Sequence, residues 1–172
     1  MQQARHSTLA SAVGLLILRL GIGGYMLTHG WGKLQMLLAG EFGALGDPIG
    51  IGSTASLVLM VLAEFICALL VMIGLGTRLA AVPVVIGMSV AAFVAHGGDP
   101  WTMGQAARLF MAGETDFPAS KEPALLYLIV FLALICIGPG RFSLDALVSS
   151  RLRRQTENTA SNPTSDSDMS GK

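Results

Sequence analysis

The fold is decided by residues 54–96, TASLVLMVLAEFICALLVMIGLGTRLAAVPVVIGMSVAAFVAH. Crossing a hydrocarbon core about 30 Å thick takes roughly 17–25 helical residues, and both 54–75 and 79–96 meet that length. The turn Gly74–Arg78 between them is too short to join anything but antiparallel neighbours. The stretch therefore predicts a transmembrane helical hairpin.

Two further apolar segments flank this hairpin and predict two more spans. Residues 9–30 form the first, and Arg19 within it argues against a cleaved signal peptide, whose apolar region carries no charge. Residues 123–138 form the last, which opens with a proline and closes with the helix-stopping sequence Gly138–Gly140. The predicted fold class is all-α, an integral membrane four-helix bundle over residues 9–154.

Composition supports the membrane class over a soluble one. The chain is 52% hydrophobic and only 13% charged, whereas soluble domains carry about 25% charge. Its formal net charge is zero, which gives no indication of a nucleic-acid partner. The lipid bilayer is the partner that composition predicts.

The placement of basic residues predicts the orientation. Short loops on the cytoplasmic side are enriched in Lys and Arg, and one side of this chain carries most of the arginines. We therefore expect the N-terminal residues 1–8 and the C-terminus to be cytoplasmic (N-in/C-in). The arginines on that side are Arg5, Arg78, Arg141, Arg151, Arg153 and Arg154.

Three segments outside the spans have a recognisable character. Residues 101–111 are compatible with a short helix at the membrane interface. Residues 143–154 predict a juxtamembrane helix, with Ser143 as its N-cap and Asp145 in its first turn. Residues 155–172 are polar and rich in Ser, Thr, Asn and Asp, which predicts a disordered tail.

Arg19 and Glu64 are charged residues inside predicted spans, where an unpaired charge is costly. Counted from the cytoplasmic helix ends, the two lie at similar depth, so we predict a structural ion pair between them. A pair that fixes helix register is one interpretation. A proton-handling or ligand-binding role for Glu64, which is also a catalytic candidate, is the other.

A second polar group falls at the opposite, outer end: His29, Lys33 and His96. His29 and Lys33 are four residues apart, and Arg19, Met26 and Lys33 lie on one heptad stripe that should face the bundle. One interpretation is an interfacial belt in which Lys33 extends to the surface. The other is a ligand-binding pocket, with Arg19 as a further candidate and His29 as a catalytic candidate. Haem held between the two histidines is disfavoured, because no other haem signature is present.

The remaining residues offer little chemistry. Cys67 and Cys136 form no redox or metal-binding motif and are expected to be reduced, buried packing residues. No metal site is predicted, because no HExxH sequence or Cys/His cluster occurs, and no P-loop or nucleophile elbow is present either.

Over residues 12–148 the chain resembles the DoxX family of small bacterial four-span membrane proteins. The resemblance rests on the order and spacing of four pieces. These are Leu18–Gly21 followed by His29–Lys33, Glu64 within the second span, Gly74–Ala80 at the hairpin, and Gly138–Asp145 after the fourth span.

The resemblance implies a location in the bacterial inner membrane and a function linked to redox or quinone metabolism. On this hypothesis the chain is a membrane subunit that works with other membrane or soluble redox subunits, with a quinone as its cofactor. Its matching polar positions are Arg19, His29, Lys33, Glu64 and His96. Two alternatives stay open: a non-catalytic scaffold that docks soluble partners through Arg151–Arg154, and a small-solute carrier. The absence of a visible inverted repeat weakens the carrier hypothesis.

Overall fold

The computed structural model describes residues 2–43 and 45–161, and in these ranges every regular element is helical. The longest is α1 (Gln2–Ala39), of 38 residues. The second long helix is continuous over Ser53–Ile73 and consists of α2 (Ser53–Val61), a π-helical segment π1 (Leu62–Cys67) and α3 (Ala68–Ile73). The third consists of α4 (Thr77–Val90) and a second π-helical segment, π2 (Ala91–Ala95).

Three helical stretches are long and apolar enough to cross a membrane. They are Leu9–Ala39, Ser53–Ile73 and Thr77–Ala95. The later helices are α5 (Met103–Met111), α6 (Glu122–Ile137) and α7 (Leu144–Ser161). The α6 helix is apolar but has only 16 residues, so it falls below the length of the other three.

The buried core lies where these helices pack. The α1 helix packs along the second long helix, while α4 packs against both α3 and α6. Small residues such as Ala68, Ala81 and Ala92 are fully buried at these contacts, beside Val71 and Phe131. Close approach through small residues is the usual basis of helix association where lipid offers no hydrophobic driving force. Most other large apolar side chains are exposed on the outside of the bundle, as lipid-facing residues should be.

Gly30 sets the crossing between α1 and π1. A Cβ atom added at Gly30 would lie 2.5 Å from the backbone carbonyl carbon and oxygen of Glu64. Farther along the same interface, a Cβ at Gly23 would lie 3.0 Å from the Cβ of Met72. These two contacts fix the register of the two antiparallel helices, and they place the middle of α1 opposite α3.

The structure departs from the sequence prediction at two helix ends. The prediction ended the first span at residue 30, whereas α1 continues to Ala39 and carries Lys33 inside the helix. The prediction began a disordered tail at residue 155, whereas α7 continues to Ser161, since Gln155 and Glu157 are themselves good helix formers. Residues 162–172 of that predicted tail lie outside the described residues.

Candidate functional site

The predicted pairing of Arg19 with Glu64 is wrong in the structure. Gly30 lies opposite Glu64, and Arg19 lies eleven residues before Gly30, which is about 16 Å along the helix axis. The predicted pairing assumed that the cytoplasmic ends of the two helices lie at the same level. The α1 helix instead extends past the hairpin turn, so its residue 19 lies level with that turn.

Arg19 belongs to a junction between the hairpin turn and the start of α7, which we call the hairpin end. The Arg19 side chain is 1% exposed and its Nη2 donates to the backbone carbonyl of Phe142. The guanidinium lies directly against Gly74, where no Cβ atom would fit. Asp145 supplies a nearby opposite charge.

Asp145 and Ser143 complete the hairpin end. The Asp145 carboxylate accepts hydrogen bonds from the backbone N–H of Gly76 at 2.9 Å and of Thr77 at 3.4 Å. Ser143 Oγ accepts from the N–H of Ala146 at 3.1 Å, which confirms its predicted role as the N-cap of α7. These bonds satisfy N–H groups at the starts of α4 and α7. The hairpin end therefore joins the starts of these two helices through hydrogen bonds.

Glu64 is paired with Lys33 instead. Lys33 Nζ donates to Glu64 Oε1, and the side chains are 18% and 1% exposed respectively. The heptad stripe of Arg19, Met26 and Lys33 faces the bundle as predicted, because Arg19 and Met26 are each only 1% exposed. The ion pair thus joins α1 to π1 near the end of the bundle opposite the hairpin.

This ion pair lies in the wall of a cavity of about 410 Å³. The cavity brings together four of the five polar candidates from the sequence: His29, Lys33, Glu64 and His96. Arg19 is not one of its lining residues. The rest of the lining is mainly apolar. It combines four flexible side chains, Met26, Met60, Met88 and Met103, with the rings of Pro48, Phe117, Pro118 and Pro123.

Both π-helical segments border the cavity. Glu64 lies inside π1, Ala91 and Ala95 of π2 line the wall, and His96 caps the end of π2. A π-helical turn inserts a residue into an α-helix and often marks a functional site. The sequence prediction treated both segments as parts of continuous helices and did not include these turns.

The two histidines have different partners at this site. His96 Nδ1 lies 2.7 Å from Asp99 Oδ2, and a carboxylate at that position orients the ring and leaves Nε2 as the nitrogen available to a ligand. His29 packs edge-on against Tyr127, with 5.6 Å between the ring centroids. Neither Asp99 nor Tyr127 was among the site residues predicted from the sequence. The spacing of His96 and Asp99, three residues apart, was the available signal for Asp99.

One sequence prediction about the cysteines is also corrected. Cys67 is buried as expected, whereas Cys136 is exposed because it lies on the outer face of α6. Both cysteines are free thiols. Neither of them lines the cavity, so neither is positioned to act on a ligand bound there.

A comparison with models of protein families found a match to this chain. Residues 14–97 match the family model of DoxX, a segment that runs from α1 through the hairpin to Gly97. This part of the chain belongs to the DoxX family. The match includes Lys33, Glu64 and His96, and the cavity therefore lies largely within the DoxX segment. Searches of curated proteins and of solved structures found no match.

Proposed function

We propose that this DoxX protein is a four-span subunit of the bacterial inner membrane that binds a quinone-like ligand in its cavity. The observation that carries the proposal is the Lys33–Glu64 pair and two histidines on the wall of a mainly apolar cavity. Small-molecule sites are typically apolar cavities of about 300–1,000 Å³ with a few converging polar groups. The cavity in this bundle has that size and character.

A quinone head group suits the chemistry of this lining. Its flat ring can pack among the methionine side chains, which adapt to ring surfaces, and against the rings of the prolines. Its carbonyl oxygens can accept hydrogen bonds from the Lys33 ammonium or from a histidine N–H. Membership in the DoxX family supports a redox-linked role in the membrane, where a lipid-soluble carrier reaches such a cavity from the bilayer.

We further propose that α6 is the fourth span and that the hairpin end faces the cytoplasm. The 16 residues of α6 cover about 24 Å, and the helix packs along α4, which is itself part of a span. Arg78 and Arg141 lie at the hairpin end, and Arg151 and Arg154 follow in α7. The positive-inside rule then places both termini in the cytoplasm and the cavity at the outer side.

Fusion reporters test this topology. A green fluorescent protein fused after Lys172 should fluoresce in the bacterial host, whereas alkaline phosphatase fused at the same point should be inactive. A second pair fused in the loop after α5, at Gly113, should give the reverse pattern. Active phosphatase at the C-terminus would contradict the proposed fourth span or the proposed orientation.

Ligand binding is tested by loading the purified protein. The full chain is purified in mild detergent with a short-chain ubiquinone, and the bound quinone is extracted and quantified by chromatography. We expect quinone with the wild type and little with Ala91→Trp, because Ala91 is a partly buried residue of the cavity wall and an indole there reduces the free volume. Ile129→Trp is the matched control, because Ile129 is 63% exposed on α6 and does not line the cavity. Equal quinone content in all three proteins, or no quinone in the wild type, would contradict the proposal that a quinone binds in the cavity.

A second measurement tests the redox role. Membranes that carry Glu64→Gln or His29→Phe should lose quinone-linked turnover relative to wild-type membranes, if these side chains contact the head group. Unchanged turnover in both variants would remove the redox assignment while leaving a binding cavity.

A further inference from the structure

One oxygen of the buried carboxylate in the cavity wall lacks a partner. Glu64 Oε1 is bound by Lys33, whereas Glu64 Oε2 has no hydrogen-bond partner among the described residues. The whole side chain is only 1% exposed. An ionised carboxylate can only accept hydrogen bonds, so this oxygen requires a donor.

Leaving such an oxygen without a donor is unfavourable. A buried polar atom that has lost water and gained no hydrogen bond carries a desolvation cost, which is greater for a charged group. Among the residues described, five buried polar side-chain atoms have no partner, two of them on Arg19 at the hairpin end, and each requires an explanation. Since Glu64 lines the cavity, a bound molecule can supply the donor.

Ser120 provides a second group of the same kind. Its side chain is buried, with 6% exposure, its Oγ has no partner within the described ranges, and the residue also lines the cavity. A serine hydroxyl can donate as well as accept, so Ser120 accepts either type of ligand atom. Glu64 is the more selective of the two, because its carboxylate excludes ligand atoms that only accept.

From these contacts we infer that the cavity selects a ligand whose apolar ring carries a hydroxyl group, which donates a hydrogen bond to Glu64 Oε2. This inference rests on the proposed function, because it requires that the cavity binds a ring-shaped ligand at all. A ligand with only carbonyl or ether oxygens, the oxidised quinone included, brings acceptor against acceptor at this position and binds more weakly, so the reduced, hydroxyl-bearing form of a quinone is the preferred ligand. The hydroxyl form of a ring compound should therefore bind more tightly than the form without a donor.

A matched pair of probes measures this preference directly. 1-Naphthol and 1-methoxynaphthalene have the same ring system, but only the first has a hydroxyl donor. A hydrogen bond to a charged group corresponds to an affinity ratio of roughly 10- to 100-fold. We expect the wild type to bind 1-naphthol more tightly than the ether by about this ratio.

Methionine-methyl NMR of the full chain in detergent micelles locates the binding. Met26, Met60, Met88 and Met103 line the cavity, so their ¹³C-labelled methyl signals should shift as either probe enters. Met111 is 77% exposed and lies outside the cavity lining, so it reports partition of the probes into the micelle. Titration of the cavity signals gives the two dissociation constants.

Two variants assign the preference to Glu64. The double variant Lys33→Met/Glu64→Leu replaces the ion pair by apolar side chains of similar size, and it should bind both probes with nearly equal affinity. Shifts of the cavity methionines by the ether in this variant show that the cavity is intact. Ser120→Ala removes the other unpartnered group and should retain the preference for 1-naphthol.

The outcomes separate this inference from the proposed function. Equal affinity of the wild type for the two probes would overturn the inference and indicate that water completes the hydrogen bonding of Glu64, while the cavity would still bind rings. Loss of the preference in Ser120→Ala but not in the double variant would also overturn it. If neither probe shifts the cavity methionines, the proposed ligand-binding function fails as well.

Discussion

Two cations on the same helix differ in their surroundings. Arg19 and Lys33 both lie on the face of α1 that points into the bundle, two heptads apart. Arg19 is enclosed at the hairpin end by a backbone carbonyl, by Gly74 and by the first residues of α7. Lys33 is paired with one carboxylate oxygen at the edge of a cavity, and the other oxygen has no partner among the described residues.

The difference shows how a charge within a membrane helix can serve either structure or binding. At the hairpin end, Arg19 and Asp145 bind backbone groups that the turn and the helix starts would otherwise leave unsatisfied. At the cavity, the charges bind each other and still face open volume. A charge whose partners are backbone groups stabilises a connection, whereas one that borders a cavity is available to a ligand.

The largest effect should come from breaking the Lys33–Glu64 pair on one side. Lys33→Met leaves the buried Glu64 carboxylate without its cation, and we expect a loss of about 3–5 kcal/mol in the free energy of unfolding. The double variant Lys33→Met/Glu64→Leu should recover most of this loss, because no buried charge remains. The measurement is unfolding of the purified protein in mild detergent by titration with sodium dodecyl sulfate.

Arg19 and Glu64 provide a control for the double-mutant cycle of Lys33 and Glu64. Arg19→Met and Glu64→Leu should have additive effects within about 0.5 kcal/mol, since the two sites are far apart and share no partner. A large interaction energy between Arg19→Met and Glu64→Leu would support the ion pair that the sequence predicted. Additive effects of Lys33→Met and Glu64→Leu would show that the contact between Lys33 and Glu64 does not contribute to the free energy of unfolding.

A smaller effect should distinguish two glycines in the hairpin turn. Gly74 and Gly76 both have positive φ, +77° and +58°, so alanine is strained at either position. At Gly74 a Cβ would also collide with the Arg19 guanidinium and lie 2.6 Å from Ser143 Cβ, whereas at Gly76 it would meet nothing within 4 Å. Gly74→Ala should therefore cost about 1–3 kcal/mol more than Gly76→Ala in the same unfolding assay. Equal costs would mean that the hairpin end is loosely packed.

The sequence predicted the elements well because their signals are local. Runs of apolar residues identified the helices, and the glycines around Thr77 identified the hairpin turn. The N-cap of α7 at Ser143 was also predicted from local chemistry, and the structure confirms it. In each case the deciding interactions lie within a few residues of one another.

The site was predicted only in part because its geometry depends on register between helices. The candidates His29, Lys33, Glu64 and His96 were found, but the partner of Glu64 was not. The prediction ended the first span at Gly30. In the structure that glycine allows α1 to pack against the backbone of Glu64, and the helix continues to Ala39 and carries Lys33 into the bundle.

The smallest effect should come from Asp47, in the loop that leads to the cavity. Its carboxylate accepts hydrogen bonds from the N–H groups of Gly52 at 2.7 Å and Ile51 at 2.9 Å and from Ser56 Oγ at 3.2 Å. The hydrogen bond from Gly52 is the main cause that lowers the pKa of Asp47 below its usual value, with the bonds from Ile51 and Ser56 adding to it. Because Ser56 lines the cavity and Asp47 is exposed, this loop links the cavity wall to the solvent.

The sign of the pH dependence follows from that lowered pKa. A carboxylate with a lower pKa in the folded state adds stability above its unfolded pKa of about 3.9, and that stability is lost as the pH falls through the folded value. We therefore expect the ¹³C-carboxyl signal of Asp47 to titrate below pH 3.9, and the unfolding free energy to decrease slightly over the same range. In Asp47→Asn that component of the decrease should disappear. An ordinary pKa for Asp47 would show that the loop is open in solution and that the cavity wall at Ser56 is not held by these bonds.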